Sequence, residues 1–363
     1  MKILLLVPYP LGESPSQRFR FEQYFEVLSA AGHTYVVRSF LSPKGWNIIY
    51  SKGNSARKFF TILSGFIRRL WTLPSVTGYD RVFIHREATP VGPPVFEWII
   101  AKVMRKKIIY DFDDAIWSTD NTSEGAFAKM IRWRSKVASI CKWSFVVSCG
   151  NDYLCDYARR FNDNVVLNPT TIDTSYHKPS SQTSSEIVIG WTGSHSTVKY
   201  IDSVVTAIQQ LEKKYSKLVF MVIADAPPNI NVSSLRFVPW NRQTEIEDLS
   251  KIDIGIMPLP DDEWSKGKCG FKALQYMAME IPAVVSPVGV NTKIVTNGVD
   301  GFICNTTEEW ITALEKLISD PVLRKQLGVA GRKKIESSYS VTSNTSNFLS
   351  LFDRSAIIVN AKR

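Results

Sequence analysis

Three carboxylates crowd the stretch "IIYDFDDAIW", where Asp111, Asp113 and Asp114 follow a run of strand-forming apolar residues. Acids this close together suit three kinds of chemistry. They can hold a divalent cation through oxygen ligands, supply a phosphatase-like nucleophile, or face a reaction centre where a carboxylate stabilises developing positive charge. A second group ends the preceding apolar run, "VFIHREATP", and offers His85, Arg86 and Glu87. A third follows the first run, where "PYPLGESPSQRFR" places Gly12, Arg18 and Arg20 in a loop. The alternative for each is structural: Asp caps helices well, and a lone histidine at a strand end is commonly a satisfied core residue.

The elements that carry these groups alternate. "KILLLVPYP", "TYVVRSF", "RVFIH", "KKIIYDF", "SFVVSC" and "NVVLN" read as short strands. Between them lie helical patterns, among them "SQRFRFEQYFEVLSAAG", expected as one helix stopped by Gly32, and "PPVFEWIIAKVM". Strands that are apolar throughout and separated by helices predict a parallel sheet covered on both faces. The Ser/Thr-rich "KPSSQTSSE" reads as a linker, after which the pattern restarts with "EIVIGWTG", "KLVFMVIAD", "LRFVPW", "DIGIMPLP" and "PAVVSP". The expectation is an α/β protein of two doubly wound domains, residues 1–178 and 179–340, with a C-terminal helix over 341–363. In such a pair the strand C-termini, where open α/β sheets bind ligands, would face a shared cleft.

Composition narrows the classes. The chain has 363 residues, 44% of them apolar, which suits a folded two-domain protein. No stretch reaches the ~20 apolar residues of a membrane span, and the apolar start ends at Pro8, too early for a signal peptide. Five cysteines without a CxxC pair predict reduced thiols and a cytoplasmic setting. The net charge of +10 is uneven: residues 1–175 hold 23 Lys/Arg against 15 Asp/Glu, the remainder 21 against 19. A basic first half favours an anionic membrane face or a phosphorylated substrate. Nucleic acid is not expected, because no recognition motif for it is present. "TGSHST" and the first loop both lack GxGxxG, which argues against a dinucleotide oxidoreductase.

The most informative stretch is "WSKGKCGFKALQYMAMEIPAVVSPVGVNTKIVTNGVDGF", from Trp264 to Phe302. A glycine-containing loop that opens a helix offers free N–H groups and the positive end of the dipole to a phosphate. Lys268 and Lys272 stand beside it. This stretch resembles the loop–helix–strand "EGFGLPxLEAMAxGxPVVAS…GGxxEIV" of the GT-B-fold glycosyltransferases, in particular their family 4-like group of retaining, nucleotide-sugar-dependent enzymes. "PYPLGESPSQRFR" is similar to the family's first loop, and "NPTTIDTSYHKP" to the opening of its second domain.

The resemblance implies a GT-B fold of two Rossmann-like domains facing a central cleft. It also implies a donor site built from Gly193, Ser194, His195, Lys199, Lys268, Gly270, Phe271, Lys272 and Gln275. The family's paired glutamates fall on Gly267 and Gln275, so Gln275 would meet the donor ribose without charge. The arginine that many relatives carry after the first strand of the second domain is absent from "GWTGSHSTVK". On the first domain, Asp113 would lie near the sugar, with His85 and Glu87 as further catalytic candidates. Gly12, Arg18 and Arg86 would contact acceptor or phosphate. Arg20 is expected to be solvated or paired, and Asp111 to be structural. GT-B enzymes generally use basic side chains and helix dipoles where others use metal, so neither cofactor nor metal is expected.

The implied activity is transfer of a sugar to a saccharide or lipid-linked saccharide acceptor in cell-envelope polysaccharide synthesis. A nucleotide-sugar epimerase of the same fold and a catalytically inactive sugar-nucleotide-binding partner are the alternatives. "ARKFFTILSGFIRRLWTLP" combines basic and large apolar residues and reads either as a helix lying on an anionic membrane or as a core helix with a solvated basic edge. The first reading would put the protein at the inner face of the cytoplasmic membrane.

Overall fold

A computed structural model describes residues 1–51, 53–118, 131–179, 185–194 and 196–353. Its contacts divide the chain into two units, Met1–Thr170 with the segment from Asn344 onward, and Thr171–Ser343. The division thus falls ahead of the Ser/Thr-rich stretch, of which residues 180–184 lie outside the described residues, and residues 171–178 go with the second unit.

The first unit is built on a parallel sheet of β1 (Lys2–Val7), β2 (Thr34–Ser39), β3 (Arg81–His85), β4 (Ile108–Phe112), β5 (Val146–Cys149) and β6 (Val165–Leu167), in the order β2-β1-β3-β4-β5-β6. β3, β4 and β5 bury nearly every side chain, which is why they read as continuous apolar runs. Their register sets His85 beside Asp111 and Asp111 beside Ser148. Three polar residues therefore form a row across the sheet at its C-terminal edge.

The helix expected over residues 16–32 is broken. Pro15–Arg18 forms one turn, Glu22–Tyr24 a 3₁₀ turn and Phe25–Ala30 a helix, with Gly32 at φ 75° as its stop. Phe19, Arg20 and Phe21 are all buried. Consecutive residues of a regular helix are spread by ~100° each, so a continuous helix would have turned one of the three outward. Helix Val341–Ser350 passes from the second unit's segment into the first, where Phe348 stacks on Tyr24 at 4.1 Å.

The second unit repeats the plan with β7 (Ile187–Thr192), β8 (Leu218–Ala224), β9 (Leu235–Pro239), β10 (Ile254–Met257), β11 (Ala283–Val285) and β12 (Gly301–Ile303), all parallel, in the order β12-β11-β10-β7-β8-β9. Gly190 and Gly255 pair across the centre. The Tyr276 ring occupies the space a side chain at 255 would need.

Each sheet reverses its winding once, between β1 and β3 in the first unit and between β7 and β10 in the second. Open α/β sheets bind ligands beyond the strand ends at such reversals, and both groups of candidate residues lie there. Among the described residues no helix is long and apolar enough to cross a membrane.

Candidate active site

In the first unit Asp111 is the hub of a fully buried network. Its carboxylate accepts from Arg20 Nε at 3.3 Å and from Arg20 Nη2, from Ser148 Oγ at 2.6 Å, and from His85 Nδ1 at 2.8 Å. Arg20 also donates to the carbonyl of Asn168. Burial alone would raise the carboxyl pKa, but the Arg20 charge and the His85 bond outweigh it and hold Asp111 well below the usual carboxylate range. Arg20 is thus a buried pairing residue, and the Asp111 carboxylate is shut off from solvent. The far nitrogen of His85, Nε2, lies 3.3 Å from Ser16 Oγ.

Arg86 departs from the sheet at φ 59° and binds both remaining acids, Asp113 at 3.0 Å and Asp114. Burial opposes its charge, yet the two carboxylates raise its pKa well above the ordinary value. Glu87 pairs with the buried Lys136 at 2.6 Å. The loop that carries these residues is gripped along its backbone: Arg86 O by Tyr110 at 2.7 Å, Ala88 N by Glu97 at 2.9 Å, Ala88 O by Arg69 at 2.7 Å, and Thr89 O by Lys136 at 2.8 Å. Arg86 and Glu87 are therefore held by a rigid support.

After β1, the Gly12 N–H is taken by Glu22 at 2.8 Å, and Gln17 bonds both backbone groups of Tyr9. Arg18 is half-buried, its guanidinium 5.0 Å from the Phe19 ring. Tyr9 lies in the field of Arg86, Glu87 and Asp113, and burial raises its pKa. Sequence reading missed Tyr9 and Lys136, because a loop tyrosine and a helix lysine carry no local sign of their partners.

In the second unit β7 ends in Trp191 and Thr192, and Gly193 follows. The Trp191 ring fills the space that a side chain at 193 would need, which requires glycine there. Gly193 donates to Ile223 at 3.0 Å, while Ser194 and Lys199 are exposed. His195 lies outside the described residues. Gly270, at φ 69°, opens helix Phe271–Ala278. Lys272 lies 5.2 Å from the centre of the Trp191 ring, and Tyr276 accepts from the Thr192 N–H at 3.1 Å. The helix start and the end of β7 are thereby brought together, and Gly193, Phe271 and Lys272 share one region. Lys268 sits over the Trp264 ring at 4.6 Å. Gln275 is buried, with its amide 3.4 Å from both Glu245 Oε1 and His177 Nε2. Neither Glu245 nor Trp191 stood out in the sequence, where they read as helix surface and strand core.

Residues 186–320 match the family model for glycosyl transferases group 1. The capsular polysaccharide biosynthesis glycosyltransferase CapM of Staphylococcus aureus is 24% identical over 186 residues, which cover 48% of this chain and 47% of CapM, so the match spans about half of that relative. Sucrose-phosphate synthase of Thermosynechococcus elongatus superposes with a TM-score of 0.73 at 14% identity, over 97% of this chain and 98% of that one. The Anabaena protein HepE, solved in complex with UDP and glucose, gives 0.65 at 11% identity over 97% and 99%. The fold is GT-B, with two Rossmann-like units. Its second unit carries the segment that matches the group 1 glycosyl transferases.

Proposed function

We propose that this protein moves a sugar from a nucleoside diphosphate donor to a saccharide or lipid-linked saccharide acceptor, with retention at the anomeric carbon, during capsular or other cell-envelope polysaccharide synthesis in the cytoplasm. The observation that carries this reading is the placement of Lys272 and the Gly270 helix start against the end of β7. Backbone N–H groups and a lysine at one spot suit a diphosphate, and the HepE complex with UDP and glucose supports a donor of that kind.

Lys272 and Lys268 neutralise the departing diphosphate and so lower the barrier to breaking the anomeric bond. The leaving phosphate itself accepts the acceptor proton, so no enzymic nucleophile is assigned. Asp113 and Glu87 are the first unit's groups for holding sugar hydroxyls or developing charge, while the third candidate, His85, is fully buried and serves as support behind them. Asp113 and Asp114 are both engaged by Arg86 rather than disposed to chelate, which favours transfer without a divalent metal.

The test is nucleoside diphosphate release from a panel of UDP-, GDP- and dTDP-sugars, with mixed saccharide acceptors, with and without EDTA. Release from one donor that persists in EDTA is expected. Silence across the panel overturns the transfer reading, and loss of release in EDTA overturns its metal-free part.

A further inference from the structure

Helix Ser55–Thr72 is built inside out. Its buried positions are Thr61, Gly65, Arg69 and Thr72. Phe59, Phe60, Leu63, Ile67, Leu70 and Trp71 are exposed, Phe60 at 64% and Trp71 at 80%. At ~100° per residue those six side chains fall within an arc of about 120°, centred opposite the buried face. An amphipathic helix of a globular protein normally turns its apolar stripe to the core.

The inward face is held by polar bonds instead. Arg69 donates to the carbonyls of Val7 at 2.6 Å, Arg38 at 2.6 Å and Ala88 at 2.7 Å. These bonds fix the orientation of the helix, so the apolar stripe stays outward. A contiguous exposed stripe of this kind marks an interaction surface.

Charge indicates the partner. From Val27 to Tyr79 the sequence contains seven Lys/Arg and no Asp or Glu. Arg57 is exposed, and Lys58 and Arg68 are half-buried on the same helix. A protein partner for so apolar a stripe would need compensating acids on its own side. An anionic bilayer supplies negative headgroups and an apolar layer in one surface.

We propose that this face docks on an anionic lipid membrane, with the six apolar side chains entering the interface and the flanking basic residues meeting lipid phosphates. The inference does not depend on the glycosyl-transfer reading. It adds a location to it, because Arg69 ties this helix to the backbone of the loop bearing Arg86 and Glu87.

The experiment is cosedimentation of the full-length protein with vesicles of phosphatidylcholine alone and of phosphatidylcholine mixed with phosphatidylglycerol. Binding to the mixed vesicles is expected, weakening as salt shortens the Debye length to ~3 Å at 1 M. Phe60→Ala and Trp71→Ala each weaken partition about tenfold, and Arg57→Glu weakens binding to the anionic vesicles selectively. All three positions are exposed, so folding is preserved, and donor turnover in solution stays at the wild-type level. No binding to the mixed vesicles, or binding indifferent to these substitutions, overturns the proposal. So does self-association of the protein through this face, seen by light scattering and lost in Trp71→Ala, in the absence of vesicle binding.

Discussion

His85 and Asp111 face each other across adjacent parallel strands, with His85 Nδ1 2.8 Å from the Asp111 carboxylate. An ionised carboxylate can only accept, so Nδ1 donates to it, and Nε2 points the other way, 3.3 Å from Ser16 Oγ. The orientation of the His85 ring is thus set by a residue that no ligand needs to touch, and Arg20 and Ser148 fill the remaining acceptor positions of that carboxylate.

Replacing Asp111 with Asn removes the charge while Arg20 stays buried. Stability at neutral pH should fall by about 3–5 kcal/mol, the cost of leaving a buried ion without its partner. The sign with pH follows from the depressed carboxyl pKa. The contribution is fully present above the unfolded value of ~3.9 and is lost as pH falls toward the folded one. Denaturant midpoints of wild type and variant should therefore converge in acid. A gap that stays constant with pH would show that Asp111 acts by shape and not by charge.

Asp113 and Asp114 share one arginine, but Asp113 is the candidate assigned to the sugar. Asp113→Asn should lower donor turnover by about a hundredfold if its charge faces the reacting centre, with nucleoside diphosphate affinity held within a small factor. Asp114→Asn should do much less. Turnover and calorimetric binding, measured side by side, separate these effects. Equal and small losses in both would return Asp113 to a purely structural pairing with Arg86.

Lys272 is the better placed of the two lysines proposed to meet the donor, because the Trp191 ring lies beside it at the end of β7 while Lys268 leans on Trp264. A charge-assisted bond to phosphate is worth ~1.5–3 kcal/mol. Lys272→Ala should then weaken nucleoside diphosphate binding about ten- to a hundredfold, and Lys268→Ala by less. Titration calorimetry of both variants reads this directly. Unchanged binding in Lys272→Ala would move the diphosphate away from this helix start.

How much of this was legible depended on whether the relevant partner was local. The strands were readable because a sheet buried on both faces leaves uninterrupted apolar runs, as in "KILLLV". The Gly270 helix start was readable because glycine, lysine and an amphipathic run are adjacent in sequence. Arg20, Arg69 and Lys136 were not, since each looks like a solvated charge until its acceptors arrive from distant segments. Asp111 is 91 positions from Arg20. The break at Phe19–Phe21 was missed for the same reason: apolar periodicity continues through it, and only the buried pairing of Arg20 shows why the chain turns.

Gly65 tests how tightly the inside-out helix is seated. Glycine in a helix interior ordinarily costs ~1 kcal/mol relative to alanine, so Gly65→Ala would stabilise a free helix. Here a Cβ at 65 would stand 2.5 Å from the Phe40 ring, and overpacking of that kind costs about 1–3 kcal/mol. The clash should win, lowering the thermal midpoint. Gly78, where an added Cβ meets nothing within 4 Å, is the control, and Gly78→Ala should leave the midpoint unchanged or slightly raised. If Gly65→Ala proves stabilising, the Phe40 ring moves aside at little cost. The orientation of the helix would then rest on the three Arg69 bonds and not on close packing beneath it.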